Sequence, residues 1–464
     1  MAGSLSLDLS DAGLLGLTDG GRRLGPSPGC ALVDGPQTVF GEDALRRSRL
    51  SPRLVSSDFW ARLDQEPLGT PFPPGLSAAD LAYAHLESLW RSGGTGVHDV
   101  VLAVPGVYDE RQLGLLLGIA QALAMPVGGV VDAAVAAATA GFPGERLLHV
   151  DAGLRRAVVT EIRQGESLVR ERVARIDRWG LDEVHDAQMR GAAAAFVRQA
   201  RFDPLHDAAT EQLLFDRLPA WLREVEELGR ARLRLPAAAG EAAADVSREE
   251  AEAWTARFAE ELSHQVSALK RTGEPATVLV SAHAARLPGL AARLGAVRGV
   301  EVVLLAAQAA AAGALREREA IRSPDGAVRF VTQLPRARTP DGTIGGMAVL
   351  LPPVARPAAR ETGRRPTHVL LGPHARAITE EPLVVGTAPP APGRGLRLDG
   401  ETAGVSRAHC RLFESAGSAV VEDLSTWGTY VNGERIAGRA VLAAGDRIRV
   451  GSPGIELLLI EAEG

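Results

Sequence analysis

A chain of 464 residues is too long for one hydrophobic core, so two or three domains are expected. Its net charge of -6 excludes a general attraction to nucleic acid or to anionic membrane. Lys270 is the single lysine, and with no Gly-Lys-Ser/Thr sequence a P-loop nucleotidase is excluded.

Cys30 and Cys410 stand far apart, which excludes a disulfide framework or a cysteine zinc site and predicts a reducing compartment. Asp8 and Asp11 interrupt the N-terminal apolar stretch, so no signal peptide is expected. The Ala-rich segments at 127–140 and 302–315 are too short or too interrupted to span a bilayer. A cytoplasmic protein without metal ligands is expected.

Strand-like and helix-like segments alternate up to about Arg318. LSLDL (5–9) alternates as a strand does, and Asp19-Gly20 predicts a hairpin turn. Ser77 opens a capping box for the helix SAADLAYAHLESLW, which Gly93-Gly94 stops. DVVLAVPG (99–106) reads as a buried strand, ERQLGLLLGIAQALAM as a helix, and VGGVVD (127–132) as a strand before a small Ala-rich helix. LLHVD (147–151) and AVVTEI (157–162) predict two strands around a tight turn. The stretch from Leu181 to Arg271 reads as helical and charged, with RARLRL (230–235) on a mixed charged face. ATVLVSA (276–282), a helix after Pro288, VEVVLL (300–305) and an Ala-rich helix complete an α/β unit. Residues 321–365 are rich in Pro, Gly and Arg and predict a semi-rigid linker. Beyond it, short strands with turn signals between them predict an all-β sandwich over 366–464.

The sandwich carries, in order, Ser406-Arg407-x-His409, Asp423-Leu424-Ser425, Gly428-Thr429-Tyr430-Val431-Asn432-Gly433 and Gly445-Asp446-x-Ile448. This series resembles the forkhead-associated (FHA) domain, a β-sandwich that binds phosphothreonine peptides through loops at one end. The residues suit that chemistry, because a hydroxyl beside a guanidinium can give charge-assisted hydrogen bonds to a phosphate. The resemblance implies a peptide site at Ser406, Arg407, Thr426 and Trp427. It implies structural roles for Gly386, His409, Gly428, Asn432 and Gly433. Two departures stand out. The family usually has Gly-Arg at the end of an early strand and this chain has Gly386-Thr387; Trp427 replaces a usual Asn. Arg394 and Arg397 are the candidates to replace the absent arginine, and a phosphate-independent docking module stays open.

The first 320 residues resemble a degenerate nucleotide-binding domain of the 70-kDa heat-shock chaperones (DnaK type), within the actin-like ATPases. LDLSDAG (7–13) and VDAGLRRAVVTEI (150–162) stand where that family has two phosphate hairpins, and VLVSAHAARLPGL (278–290) where it has its adenosine-side strand. The resemblance places a nucleotide and Mg²⁺ site at Asp8, Asp132, Asp151, Arg155 and Arg156. The chemistry is eroded, since such hairpins need glycine for close backbone approach to phosphate. Asp11 and Leu154 stand in their place, and no lysine lies in the early region, where Arg62 is the nearest cation. Efficient ATP hydrolysis is not expected, no cofactor is certain, and weak Mg-ATP binding stays open. Together these readings predict a non-enzymatic adaptor: a pseudo-ATPase joined to a phosphothreonine reader that connects Ser/Thr-kinase signalling to a protein partner. A chaperone-like ATPase and a filament- or oligomer-forming protein are the alternatives.

Overall fold

The computed structural model describes residues 3–461 apart from 36, 178, 238–239, 272–273, 324–325, 337–347, 351–364, 372–373, 391–392, 400–401, 403, 416, 426–427, 433, 437 and 452–453. The chain divides into two compact units, one of residues 1–259, 276–291 and 301–351, the other of 260–275, 292–300 and 352–464. No helix among the described residues is long and apolar enough to cross a membrane.

Strand β1 (Gly3–Asp8) buries Leu5 and Leu7 and pairs antiparallel with β2 (Leu14–Thr18), which turns at Asp19-Gly20 into β3 (Arg23–Ser27). On its other side β1 runs parallel to β4 (Val97–Val104), and β4 parallel to β5 (Val127–Asp132). Helix α1 (Ala78–Gly93) starts at the expected capping box, in which Ser77 and Asp80 satisfy each other's backbone N–H. Helix α2 (Glu110–Ala122) starts at a second one, Asp109 with Gln112. The short helix α3 (Ala133–Ala138) closes this half.

The second half repeats the plan. Strands β6 (Arg146–Ala152), β7 (Arg156–Gln164) and β8 (Ser167–Asp177) pair antiparallel in sequence, and β9 (Ala276–Val280) lies parallel to β6, with β10 (Val300–Leu305) beyond it. The two sheets therefore share one strand order, β3-β2-β1-β4-β5 and β8-β7-β6-β9-β10. Between β8 and β9 come α4 (Leu181–Ala200), α5 (Ala208–Leu228) and α6 (Arg248–Leu269). Here the structure differs from the helical expectation: Arg230–Ala237 and Gly240–Ser247 form a β-hairpin. Its first strand exposes Arg230, Arg232 and Arg234 while burying Ala231, Leu233 and Leu235, a two-residue period that no helix supports. The buried Trp179 donates from its ring N–H to the Phe258 carbonyl, a packing role like the one expected.

The expected linker start at 321 is also revised. Phe330–Val331 adds to β5, Gln333–Pro335 to β8, and Ala348–Leu350 to β10, so the α/β sheets continue past that point. Two- and three-residue strands carry too little periodicity to be seen among prolines and arginines. The rest of the linker, 337–347 and 351–364, lies outside the described residues.

The sandwich has a five-stranded sheet and a six-stranded sheet over a shared core that includes Val369, Val385, Leu412, Val421 and Ile448. Strand β11 (His368–Leu371) belongs to the larger sheet. In the smaller one, β12 (Leu383–Gly386) is flanked by β13 (Arg394–Arg397) and β14 (Cys410–Ser415), with β15 (Ser418–Asp423) beyond. Strand β16 (Thr429–Val431) returns to the larger sheet, β17 (Arg439–Leu442) to the smaller, and β18 (Arg447–Val450) and β19 (Ile455–Ile460) finish the larger. Both cysteines are free and buried.

In the α/β unit, α8 (Ala309–Arg316, with α7 at Leu290–Gly295 before it) packs on α3, one small-residue helix from each half. At Gly313 an added Cβ would lie 1.9 Å from the Ala136 carbonyl oxygen and 2.6 Å from the Thr139 hydroxyl. Alanine gains about 1 kcal/mol of helix propensity over glycine, but a backbone carbonyl at that distance forces the helices apart at a cost of about 3 kcal/mol. Gly313→Ala should therefore lower unfolding free energy by about 2 kcal/mol in urea titration, and a more stable variant would contradict this packing.

Candidate functional site

Two clusters of the expected residues can be compared. In the α/β unit Asp8, at the end of β1, and Asp151, in β6, are brought together, so that the Asp151 charge bears on Asp8. Asp8 accepts the Ser10 N–H at 3.2 Å. Asp11 reaches across and accepts the Leu154 N–H at 3.0 Å, and a Cβ on Gly153 would lie 2.4 Å from its carboxylate. A carboxylate of the chain itself thus caps the backbone donor of the second hairpin. Asp132 is wholly buried, accepts the Ala134 and Val135 N–H groups at the start of α3, and pairs with Arg170 at 2.8 Å. Arg155 pairs with Asp182 and Glu183, Arg156 donates to the Ala61 carbonyl, and Arg62 pairs with Asp64. The cavity that Ser10, Asp11, Tyr108, Asp151 and Arg156 help to line offers about 20 Å³ to a water-sized occupant, which is water scale and not nucleotide scale. Among the described residues no three His, Cys, Asp or Glu side chains are grouped to hold a metal ion.

Burial pushes both Asp8 and Asp11 up to about 7. For Asp8 the Asp151 charge adds to this and the Ser10 N–H opposes it; for Asp11 the Leu154 N–H and Arg156 oppose it while Asp151 and Asp182 add. A folded value above the unfolded one means that stability falls as pH rises from about 4 to about 7, with the full cost present above that. Asp11→Asn keeps an acceptor for Leu154 without the charge. It should raise stability at pH 8 by on the order of 1–3 kcal/mol and change little at pH 4, as read by thermal melts.

In the sandwich the site is built at one end of the smaller sheet. The ring of the wholly buried His409 accepts the Ser406 N–H at Nδ1 (3.1 Å) and donates from Nε2 to the Gly428 carbonyl (3.1 Å). One imidazole therefore ties the loop before β14 to the loop before β16. The second loop is knotted by Asp423, whose Oδ1 accepts from the Ser425 N–H and hydroxyl and from the Thr429 hydroxyl. Burial raises the Asp423 carboxyl, but these bonds outweigh it and hold it below the usual range. Gly428 sits at φ +97° and donates its N–H to the Ser425 hydroxyl. Asn432, at φ +52°, spans to the next turn: its amide donates to Asp446 at 2.8 Å and its Oδ1 accepts the Arg447 N–H at 2.9 Å. Gly386 lies under the first loop, where a Cβ would meet the Arg407 carbonyl oxygen at 2.2 Å.

Within this frame the Ser406 hydroxyl and the exposed Arg407 guanidinium have no hydrogen bond or ion pair among the described residues. Thr426, Trp427 and Gly433 lie outside the described residues. The two substitutes for the absent arginine part company: Arg394 donates to the Thr379 hydroxyl and the Ala377 and Glu381 carbonyls, while Arg397 stays exposed beside Gly386. The knot of Asp423, Ser425 and Thr429 was not singled out as a unit, although its residues stood in the quoted motif.

A loop-end site of this construction on a two-sheet sandwich defines a class of peptide-binding module. The family model for the FHA domain matches residues 384–451, and this segment is an FHA domain. FHA domains bind phosphothreonine-containing protein partners. The match does not reach the α/β unit, so the resemblance of that unit to chaperone nucleotide domains stands without a family match. No curated protein matches the chain.

Burial holds His409 below its ordinary value of 6.5. Its brace needs the neutral ring, so its contribution is complete above about 6.5 and is lost as pH falls through the lower folded value. Melting of the whole chain from pH 7.5 to 5 should show this loss, and His409→Gln should be less stable at pH 7.5 by about 1–3 kcal/mol, the cost of orphaning the Ser406 and Gly428 groups. An unchanged gap between the two proteins across that range would contradict the brace.

Proposed function

We propose that the protein is a non-enzymatic adaptor whose FHA domain reads phosphothreonine on a protein partner in Ser/Thr-kinase signalling. The observation that carries this reading is the pair formed by the Ser406 hydroxyl and the Arg407 guanidinium. Among the described residues neither is engaged, and the loop is braced by the His409 ring and by backbone bonds from Thr387 and Ala388. A hydroxyl donor beside a fixed cation is what a phosphate with three acceptor oxygens requires.

The α/β unit is, in this reading, a pseudo-ATPase of actin-like fold that serves as a scaffold. Its two sheets with one strand order support the duplicated architecture. The Asp11 bond to Leu154, the Asp132 pair with Arg170 and the engaged Arg155 and Arg156 support the loss of nucleotide chemistry. A phosphate entering there would meet a buried carboxylate and few free donors.

Calorimetric titration of the whole chain with paired phosphorylated and unphosphorylated threonine peptides tests the reading. Binding should require the phosphate, and Arg407→Ala should weaken it about 30-fold, the worth of one charge-assisted contact. Mg-ATP at millimolar concentration should leave the melting temperature unchanged, since only a ligand that binds the folded state raises it. Phosphate-independent binding, or a shift of several degrees with Mg-ATP, would overturn the respective half of the proposal.

A further inference from the structure

A phosphothreonine carries close to two negative charges at neutral pH, and Arg407 supplies one positive charge. The partner of Gly386 in the parallel ladder between β12 and β13 is Arg397. The backbone at 386–388 is held from both sides: Leu398 N–H donates to the Gly386 carbonyl at 2.9 Å, while Thr387 and Ala388 donate to the Ser406 and Arg407 carbonyls at 3.2 and 3.0 Å. Residue 397 is thus one strand away from the Ser406–Arg407 loop, with Gly386 between them.

The faces agree as well. Leu396 and Leu398 are buried in the core, so Arg397 leaves from the opposite face of the sheet. Parallel register partners point to the same face, and the side that Gly386 would fill with a Cβ is where the Arg407 carbonyl lies. Neighbouring guanidinium groups are committed: Arg394 to backbone carbonyls, Arg411 and Arg439 to Glu422. Among the described residues Arg397 meets one weak competitor, Asp399 at 3.1 Å, in a pair whose side chains are 73% and 79% exposed. Pairs of that exposure contribute little and yield to a dianion.

We propose that Arg397 is the second phosphate-binding cation of this FHA domain, clamping the phosphothreonine from β13 while Arg407 and Ser406 hold it from the loop. This rests on the phosphothreonine reading above. Thr387, which stands where the early-strand arginine is usual, leaves that role to the neighbouring strand.

Fluorescence polarisation of the whole chain with a labelled phosphothreonine peptide tests the clamp at low and high salt. Arg397→Gln should weaken binding about tenfold and flatten the salt dependence, with the melting temperature unchanged. Arg397→Lys should restore part of the loss, and Asp399→Asn should leave affinity equal or tighter. Binding that depends on the phosphate and on Arg407 but not on Arg397 would overturn the clamp and leave the phosphothreonine reading intact. Absence of phosphate-dependent binding in the unmodified protein would overturn both.

Discussion

A neutral imidazole holds the working end of the FHA domain together. Beside the backbone bond from the Leu424 N–H to the His409 carbonyl, the His409 ring joins the loops before β14 and before β16 through one accepted and one donated hydrogen bond. Only the uncharged ring with its proton on Nε2 can make both, because a backbone N–H must donate to Nδ1 and a carbonyl must accept from Nε2. The desolvation that lowers its proton affinity is therefore part of the construction. Ser406 and Arg407 owe their fixed position to this ring and to the bare Gly386 beneath them, and contribute none of their own polar side-chain atoms to it.

The α/β cleft shows the opposite disposition of similar groups. Its backbone donor at Leu154 is capped by Asp11, its deepest carboxylate, Asp132, is matched by Arg170, and its arginines are paired with acids or carbonyls. A site whose polar groups satisfy one another gains rigidity and loses the capacity to reward a ligand, since a ligand would have to replace bonds already made. The remaining tension is the burial of Asp8 and Asp11 near Asp151, and protonation relieves it more cheaply than an anionic ligand would.

The FHA domain was legible because its signature is a run of motif residues, each with a local job: the His409 brace, the Asp423 knot, the Asn432 span. Such jobs are fixed by nearby chain and survive in the linear order. The elements of the α/β unit were legible from buried runs and capping boxes, whereas three features escaped. The hairpin at 230–247 was masked by charged neighbours, although its burial alternates residue by residue. The strand β8, with Arg170, Arg172 and Arg175 along it, has little apolar contrast to declare itself. The short strands after 330 exist only because sheet edges were already there to receive them. The place of Arg397 could not be read either, since parallel pairing joins residues whose relation depends on register and not on spacing.

With Lys270 the single lysine, arginine carries nearly all of the positive charge of this chain. Guanidinium groups are planar forks with five donors, and several here lie against matching acceptors: Glu161 between Arg146 and Arg172, Glu422 between Arg411 and Arg439, carbonyls around Arg394. Among the described residues the Arg407 guanidinium has no hydrogen bond or ion pair, and it sits on a loop braced by His409 and by the Thr387 and Ala388 N–H groups. Rigidity and vacancy together are the conditions for selective recognition of a planar or tetrahedral anion, because the entropy of fixing the loop is met in folding and not in binding. On that ground the FHA loop, with its unengaged hydroxyl and guanidinium among the described residues, is suited to an anionic ligand.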